Sequence, residues 1–304
     1  MESTVAPDDS GKGHPELRAA RRGVSRRTVI LGAIGAAVVL GAGIPVTLRL
    51  LDQPTGKLVT PLLASKPFYA AHRGGSLDWP EMSLYAYQQA VAHGVDALEM
   101  SLARTSDGVW FGLHDPTLDR TSGTDDFIAA EHTWAEVKQH RILAQNTVDH
   151  RQPSRPYLKF ETLVEAYGST HTIFVDPKVV DAKYYPELFA LMTKLVDEPK
   201  ETFIAKGYGF LPAWAEAASA EGLQTWGYYY GAEIEAESDR LISTQGSWSI
   251  LGLDFEATAA DWKLVRSYGK PVIGHIIPSK AAAKTALGHG ARGLMVSGVT
   301  QVLG

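Results

Sequence analysis

Between Ala71 and Asp115, two histidines, an arginine and two glutamates fall at the edges of apolar runs. Phe68–Ala71 leads into His72-Arg73-Gly74-Gly75, and Pro80-Glu81-Met82-Ser83 follows. Leu98-Glu99-Met100-Ser101 comes next, and the stretch closes at Leu113-His114-Asp115. Imidazole exchanges protons near neutral pH, and guanidinium reads anions such as phosphate through a planar fork of donors. His72 and His114 are therefore a candidate general acid and base, with Arg73 beside them for a phosphate. A polar group at the end of a buried strand is where a parallel barrel keeps its chemistry.

The local elements give a geometric expectation. Asp107-Gly108 between two apolar runs is a hairpin signal. With those two residues as the turn, Ser106 faces Val109 and Ser101 faces His114. Glu99 shares a face with Ser101, because side chains repeat every second residue along a strand. Glu99, position 101 and His114 then converge, unless a longer loop or a bulge shifts the register.

Further along, the spacing predicts strands over Phe68–Ala71, Ala97–Leu102, Val109–Leu113, Thr172–Asp176, Thr202–Ala205, Gln224–Tyr228, Ile250–Phe255, Pro271–Ile276 and Gly293–Val296. Helical spacing covers Glu81–His93, Pro186–Val196, Pro212–Ala220, Tyr230–Ser243, Ala257–Tyr268 and Ser279–Gly288. Strand and helix alternate, which argues for an α/β fold with a parallel sheet closed as a TIM-type (β/α)8 barrel. The hairpin supplies the surplus over eight strands. Pro116–Asp149 reads as a polar connection.

The ordered motifs resemble the signature of the glycerophosphodiester phosphodiesterases. They are His72-Arg73-Gly74, Pro80-Glu81-Met82-Ser83, Gly94-Val95-Asp96-Ala97-Leu98-Glu99-Met100-Ser101, Thr105-Ser106-Asp107-Gly108, His114-Asp115 and Leu118-Asp119-Arg120-Thr121. The resemblance is dense up to Ser122. It implies metal-dependent hydrolysis of glycerophosphodiesters or related lipid headgroups, with His72 and His114 catalytic. It places Lys178 near a phosphoryl oxygen, and it puts His275 on a strand that faces the substrate. It also implies a calcium or magnesium ion at Glu99, Ser101 and Asp176. Ser101 stands where the family has an aspartate, and a hydroxyl is a weaker ligand for a hard cation. Met82 replaces the family's asparagine. Glu81 could add a third carboxylate if its loop folds inward. The plainer reading pairs Glu99 with Lys178 or Arg73 as a buried ion pair.

Two other functions compete with hydrolysis of glycerophosphodiesters. One is a degenerate barrel that binds a phosphorylated ligand without cleaving it, motivated by Ser101 and Met82. The other is a lipid-cleaving enzyme of the sphingomyelinase D type, which shares the histidine pair and a D-x-K strand. Trp79, Trp110, Trp226, Tyr228, Tyr229 and Tyr230 could wall a lipid-like or choline-like group or be core.

A net charge of −5 gives no basic surface for nucleic acid. The absence of cysteine excludes disulfides and thiolate metal sites. Residues 1–24 read as a disordered cytoplasmic tail. Residues 25–51 read as a twin-arginine-like signal or membrane anchor, since Arg26-Arg27 precedes the uncharged run Thr28–Leu48. Arginines cluster before that run, which points the barrel to the extracytoplasmic side of the cell membrane. Residues 52–66 read as a linker, and 67–304 as the barrel.

Overall fold

A computed structural model describes residues 56–304. The tail, the apolar run with its twin arginine and the start of the linker fall in residues 1–55, outside the described residues. Among the described residues no helix is long and apolar enough to cross a membrane.

The barrel strands are β1 (Phe68–Ala71), β2 (Ala97–Arg104), β4 (Thr172–Asp176), β5 (Phe203–Tyr208), β6 (Gln224–Tyr229), β7 (Ile250–Asp254), β8 (Val272–Ile277) and β9 (Gly293–Val296). All neighbours are parallel, and β1 pairs with both β9 and β2, so the sheet closes on itself. The ninth strand, β3 (Trp110–Gly112), pairs antiparallel with β2 outside the closed ring. β7 and β8 are Val-, Ile- and Leu-rich because both faces of the sheet are covered, as parallel sheets require; every residue of β4 is buried.

Helices wrap the outside, among them α1 (Leu84–Ala92), α2 (Phe160–Tyr167) and α3 (Tyr185–Leu195). Ser83 caps α1 by accepting the Ala86 amide at 3.1 Å, and Gly94 leaves it with φ +80°. The single helix expected over 230–243 is two, Gly231–Ala236 and Ser238–Thr244. They part at Glu237, whose backbone leaves the helical region and whose carboxylate pairs with Arg240.

Alternation along each strand sorts the core into two. Phe68, Phe174, Ile204, Trp226, Ile250 and Met295 pack together inside the ring. Leu98, Val175, Ala205, Leu253 and Val296 face the helices. Period two then sends Glu99, Asp176, Lys206 and His275 inward, one step nearer the C-terminal ends than the apolar interior layer.

Three expectations need correction. The segment 52–66 is not all linker: Val59–Ala64 is a helix whose Val59 and Leu62 join the barrel's inner core. The connection 116–149 is not merely polar. It carries a short helix at Asp119–Ser122, and its Leu118, Ala129, Val137 and Ile142 form a small core with Phe111 and Leu113. The hairpin register is also shifted by one. Leu102 pairs with Gly112, and the Leu113 amide donates to the Ser101 carbonyl. The loop is longer than two residues because the Thr105 amide donates to the Val109 carbonyl and the Thr105 hydroxyl donates to Asp107.

Candidate active site

The polar layer is built from strand ends. Glu99 and Ser101 lie on β2, Asp176 ends β4, and Lys206 lies on β5. Lys206 sends its ammonium to Glu99 Oε1 at 3.0 Å and to Asp176 Oδ2 at 2.9 Å. Ser101 Oγ donates to the same Glu99 oxygen at 3.1 Å. The other Glu99 oxygen, Oε2, accepts the Arg73 amide at 2.7 Å. All four side chains are buried. Burial opposes the charge on Lys206, but Asp176 and Glu99 outweigh it and raise the ammonium's pKa, so it stays charged.

The Arg73 amide reaches Glu99 because its backbone is left-handed, with φ +50°. Such a conformation is unusual for a residue with a Cβ. It persists where surrounding contacts over-determine it, here the Glu99 bond and a Met82 amide donated to the Arg73 carbonyl. Met82 is left-handed as well, at φ +54°, a conformation asparagine adopts more readily.

His114 sits just beyond β3 and is held at both nitrogens. Nε2 is 2.7 Å from Lys178 Nζ, and Nδ1 is 2.6 Å from Asp115 Oδ1. An ammonium can only donate, so Nε2 accepts and the ring proton sits on Nδ1, donated to Asp115. Burial, followed by the charges of Arg73 and Lys178, lowers the His114 pKa well below the usual imidazole value. His72 is lowered too, by burial and then by Arg73, Lys206, His114 and Lys178. Both rings are neutral at pH 7, and each feels the charge of the other's neighbours. Tyr228 joins the two groups of cations, with its ring centre 4.9 Å from Lys206 Nζ and 5.6 Å from Lys178 Nζ.

Glu81 does not turn toward Glu99. It takes Arg120 at 2.7 and 3.1 Å, and Arg73 Nη1 at 3.5 Å. Arg120 also donates to Asp115. Glu81 therefore orients guanidinium groups and is not placed as a metal ligand. His275 packs against the edges of Tyr228 and Tyr230 and lies 2.9 Å from the Tyr229 carbonyl through Nε2.

Sequence reasoning missed Lys206, and it placed Asp115 and Arg120 in motifs without giving them a role. The signal for Lys206 was available. The apolar run Phe203–Ala205 ends in a charged residue, the same pattern that drew attention to His72 and His114.

A sequence model of the glycerophosphoryl diester phosphodiesterase family matches residues 72–195, the span holding His72, Arg73, Glu81, Glu99, Ser101, His114, Asp176 and Lys178. That stretch of the chain is similar to the family. Glycerophosphodiester phosphodiesterase 1 of Mus musculus is 36% identical over 110 residues, covering 36% of this chain and 33% of that protein. A probable glycerophosphodiester phosphodiesterase 1 of Mycobacterium tuberculosis is 40% identical over 78 residues, covering 26% of this chain and 28% of that protein. The matched span is about a third of the length of these relatives. The fold is shared with a glycerophosphodiester phosphodiesterase of Agrobacterium tumefaciens, with a TM-score of 0.62 at 16% identity over 78% of this chain and 99% of that one. An Oleispira antarctica phosphodiesterase, solved with the product sn-glycerol-3-phosphate, has a TM-score of 0.61 at 19% identity over 78% of this chain and 95% of that one.

The divalent metal implied by the family does not fit the residues present. Glu99 and Asp176 converge on one cation, and that cation is Lys206. A metal bridging the same oxygens needs ligand distances of about 2.0–2.6 Å, so it would compete with the ammonium for one place. Ser101 donates its proton to Glu99, and both Glu99 oxygens already accept hydrogen bonds. Among the described residues no three acidic or histidine side chains form a metal-binding group.

Proposed function

We propose that this chain hydrolyses glycerophosphodiesters, with His114 as general base and His72 as general acid. The observation that carries the reading is the chain Arg120–Asp115–His114–Lys178. A base needs a neutral imidazole, a fixed tautomer and a lone pair on the nitrogen that faces the reaction. His114 has all three: Asp115 fixes the Nδ1 proton, and Nε2 is an acceptor held by the flexible side chain of Lys178.

The charges support the same reading. Arg73, Arg120, Lys178 and Lys206 stand against Glu81, Glu99, Asp115 and Asp176, so these eight groups balance while both imidazoles are neutral. A phosphodiester brings one negative charge into this buried layer. Its field raises the imidazole pKa values and favours taking up one proton, which His72 then has to give. Lys178 turns from Nε2 to a phosphoryl oxygen, and Arg73 takes another. Nε2 removes the proton from the attacking hydroxyl as the new P–O bond forms. The old P–O bond breaks, and His72 protonates the departing alcohol. The cyclic phosphate left by attack of the neighbouring glycerol hydroxyl is then opened by water, with His72 taking the water's proton and His114 returning its own to the glycerol oxygen.

The test is incubation of the purified full chain with glycerophosphocholine, following choline and glycerol phosphate. Turnover is expected, and alanine at position 72 or 114 should lower kcat by at least ~10²-fold. Binding of the diester without turnover would transfer the chain to the non-catalytic reading, and choline phosphate-free cleavage of sphingomyelin alone would transfer it to the lipid-cleaving one. Arg26-Arg27 ahead of an uncharged run supports placing the barrel outside the cytoplasm, which cell fractionation tests directly.

A further inference from the structure

We infer that the Lys206 ammonium is this enzyme's built-in cation, taking the structural and electrostatic place of a divalent metal, so that hydrolysis proceeds without one. The inference rests on the hydrolytic reading above for its activity arm and stands apart from it for its binding arm.

Lys206 is the point where the two inner carboxylates meet. Its Nζ lies 3.0 Å from Glu99 and 2.9 Å from Asp176, and the residue is 4% exposed. A buried ammonium survives only where opposite charges surround it, and here two carboxylates do so. The rest of the layer is shaped to this single charge. At position 101, where the resemblance implies a third anionic ligand, the chain has a neutral hydroxyl that donates to Glu99. The remaining nearby carboxylate, Glu81, is committed to Arg120 and Arg73. One fewer carboxylate and one fixed monovalent cation are mutually consistent. With a divalent ion added, the ammonium would face a like charge inside a dry layer.

Lys206 also has the reach to act on substrate. Two of its three protons go to Glu99 and Asp176, and its Nζ stands over the Tyr228 ring beside Lys178. The charge of Lys206 is also felt by His72. Sharing the Tyr228 ring with Lys178, which itself contacts His114, it stands beside the layer where a phosphoryl group would be bound, and it neutralises the developing negative charge without a metal's ligand exchange.

The experiment uses the full chain, stripped of metal with chelator. In the activity arm, glycerophosphocholine turnover should survive excess EDTA and change less than about twofold on adding calcium or magnesium chloride. In the binding arm, titration of either ion alone by calorimetry should give no heat of site binding below millimolar concentration. Lys206→Ala should lose turnover by ~10²-fold or more. Paired with Ser101→Asp, it should gain calcium or magnesium binding and become metal-dependent. The double variant keeps the test open if Lys206→Ala alone does not fold, because the added ion replaces the lost cation. Chelator-sensitive turnover restored by metal, or stoichiometric metal binding by the unmodified chain, overturns the inference and leaves the hydrolytic reading intact. Absence of turnover under every condition overturns the hydrolytic reading, and the binding arm still decides the role of Lys206.

Discussion

Glutamine at position 81 would delete one charge from the layer while keeping its shape. Glu81 is 6% exposed and holds two guanidinium groups, Arg120 through both oxygens and Arg73 through one. Burial pushes its carboxyl up. The charges of Arg73 and Arg120, with the Arg120 hydrogen bonds, outweigh that and hold it at about 2, against 4.5 for an ordinary glutamate. A difference of that size corresponds to about 3 kcal/mol of stability at neutral pH. The folded value is the lower one, so this contribution is complete above pH 4.5 and is lost as pH falls toward 2. By the same linkage roughly 1 kcal/mol remains at about pH 3. Glu81→Gln should therefore destabilise the full chain by about 3 kcal/mol at neutral pH in urea unfolding, within the range for breaking a buried ion pair. The gap between variant and parent should narrow by about 2 kcal/mol on acidification to about pH 3. Because Arg73 loses its orienting partner, KM for the diester should rise along with the loss of stability. A neutral-pH effect under about 1 kcal/mol, or one that stays constant on acidification, would refute the assignment of Glu81 as the clamp of both guanidinium groups.

Other perturbations separate the remaining roles. Asp115→Asn keeps the shape beside His114 but lets the ring take the other tautomer, so kcat should fall by ~10-fold or more with KM nearly unchanged; an unchanged kcat would remove Asp115 from the positioning of the base. The pKa of both histidines is lowered, so the acid limb of kcat/KM should lie below the ordinary imidazole value of 6.5; an acid limb at or above 6.5 in a profile from about pH 4.5 to 8 would contradict neutral rings in the free protein. Lys178→Ala should raise KM and also free Nε2 of His114, measured as a perturbed histidine resonance in NMR titration; an unperturbed ring would mean the contact is not made in solution. Ser101→Asp alone should destabilise by about 1–3 kcal/mol, since it crowds a third carboxylate onto one ammonium. It should bring no metal response while Lys206 remains, and a gain in metal-stimulated turnover in this single variant would restore the family's ion to the site.

Much of the barrel was readable because its signals are local. Apolar runs, capping residues such as Ser83 and the glycine at position 94 state where strands and helices begin and end, and each works within a few residues. The register of the hairpin was not readable to the last residue, because it turned on a Thr105 side chain that competes for backbone bonds within its own loop. The small core around Leu118, Val137 and Ile142 was hidden for another reason. Its apolar residues are sparse in sequence and meet only against Phe111 and Leu113.

The sequence by itself determined which groups could do the chemistry: two imidazoles, a guanidinium and carboxylates at strand ends, with a serine in place of an expected acid. Only closure of the barrel decided which cation those carboxylates hold. Glu99 and Lys206 are 107 residues apart in the chain, and no local periodicity links them. Parallel strands that run through a closed ring point alternate side chains to one axis, so residues from β2, β4 and β5 meet there whatever their separation. The identity of the central charge is thus a property of the ring, and in this chain the ring supplies an ammonium.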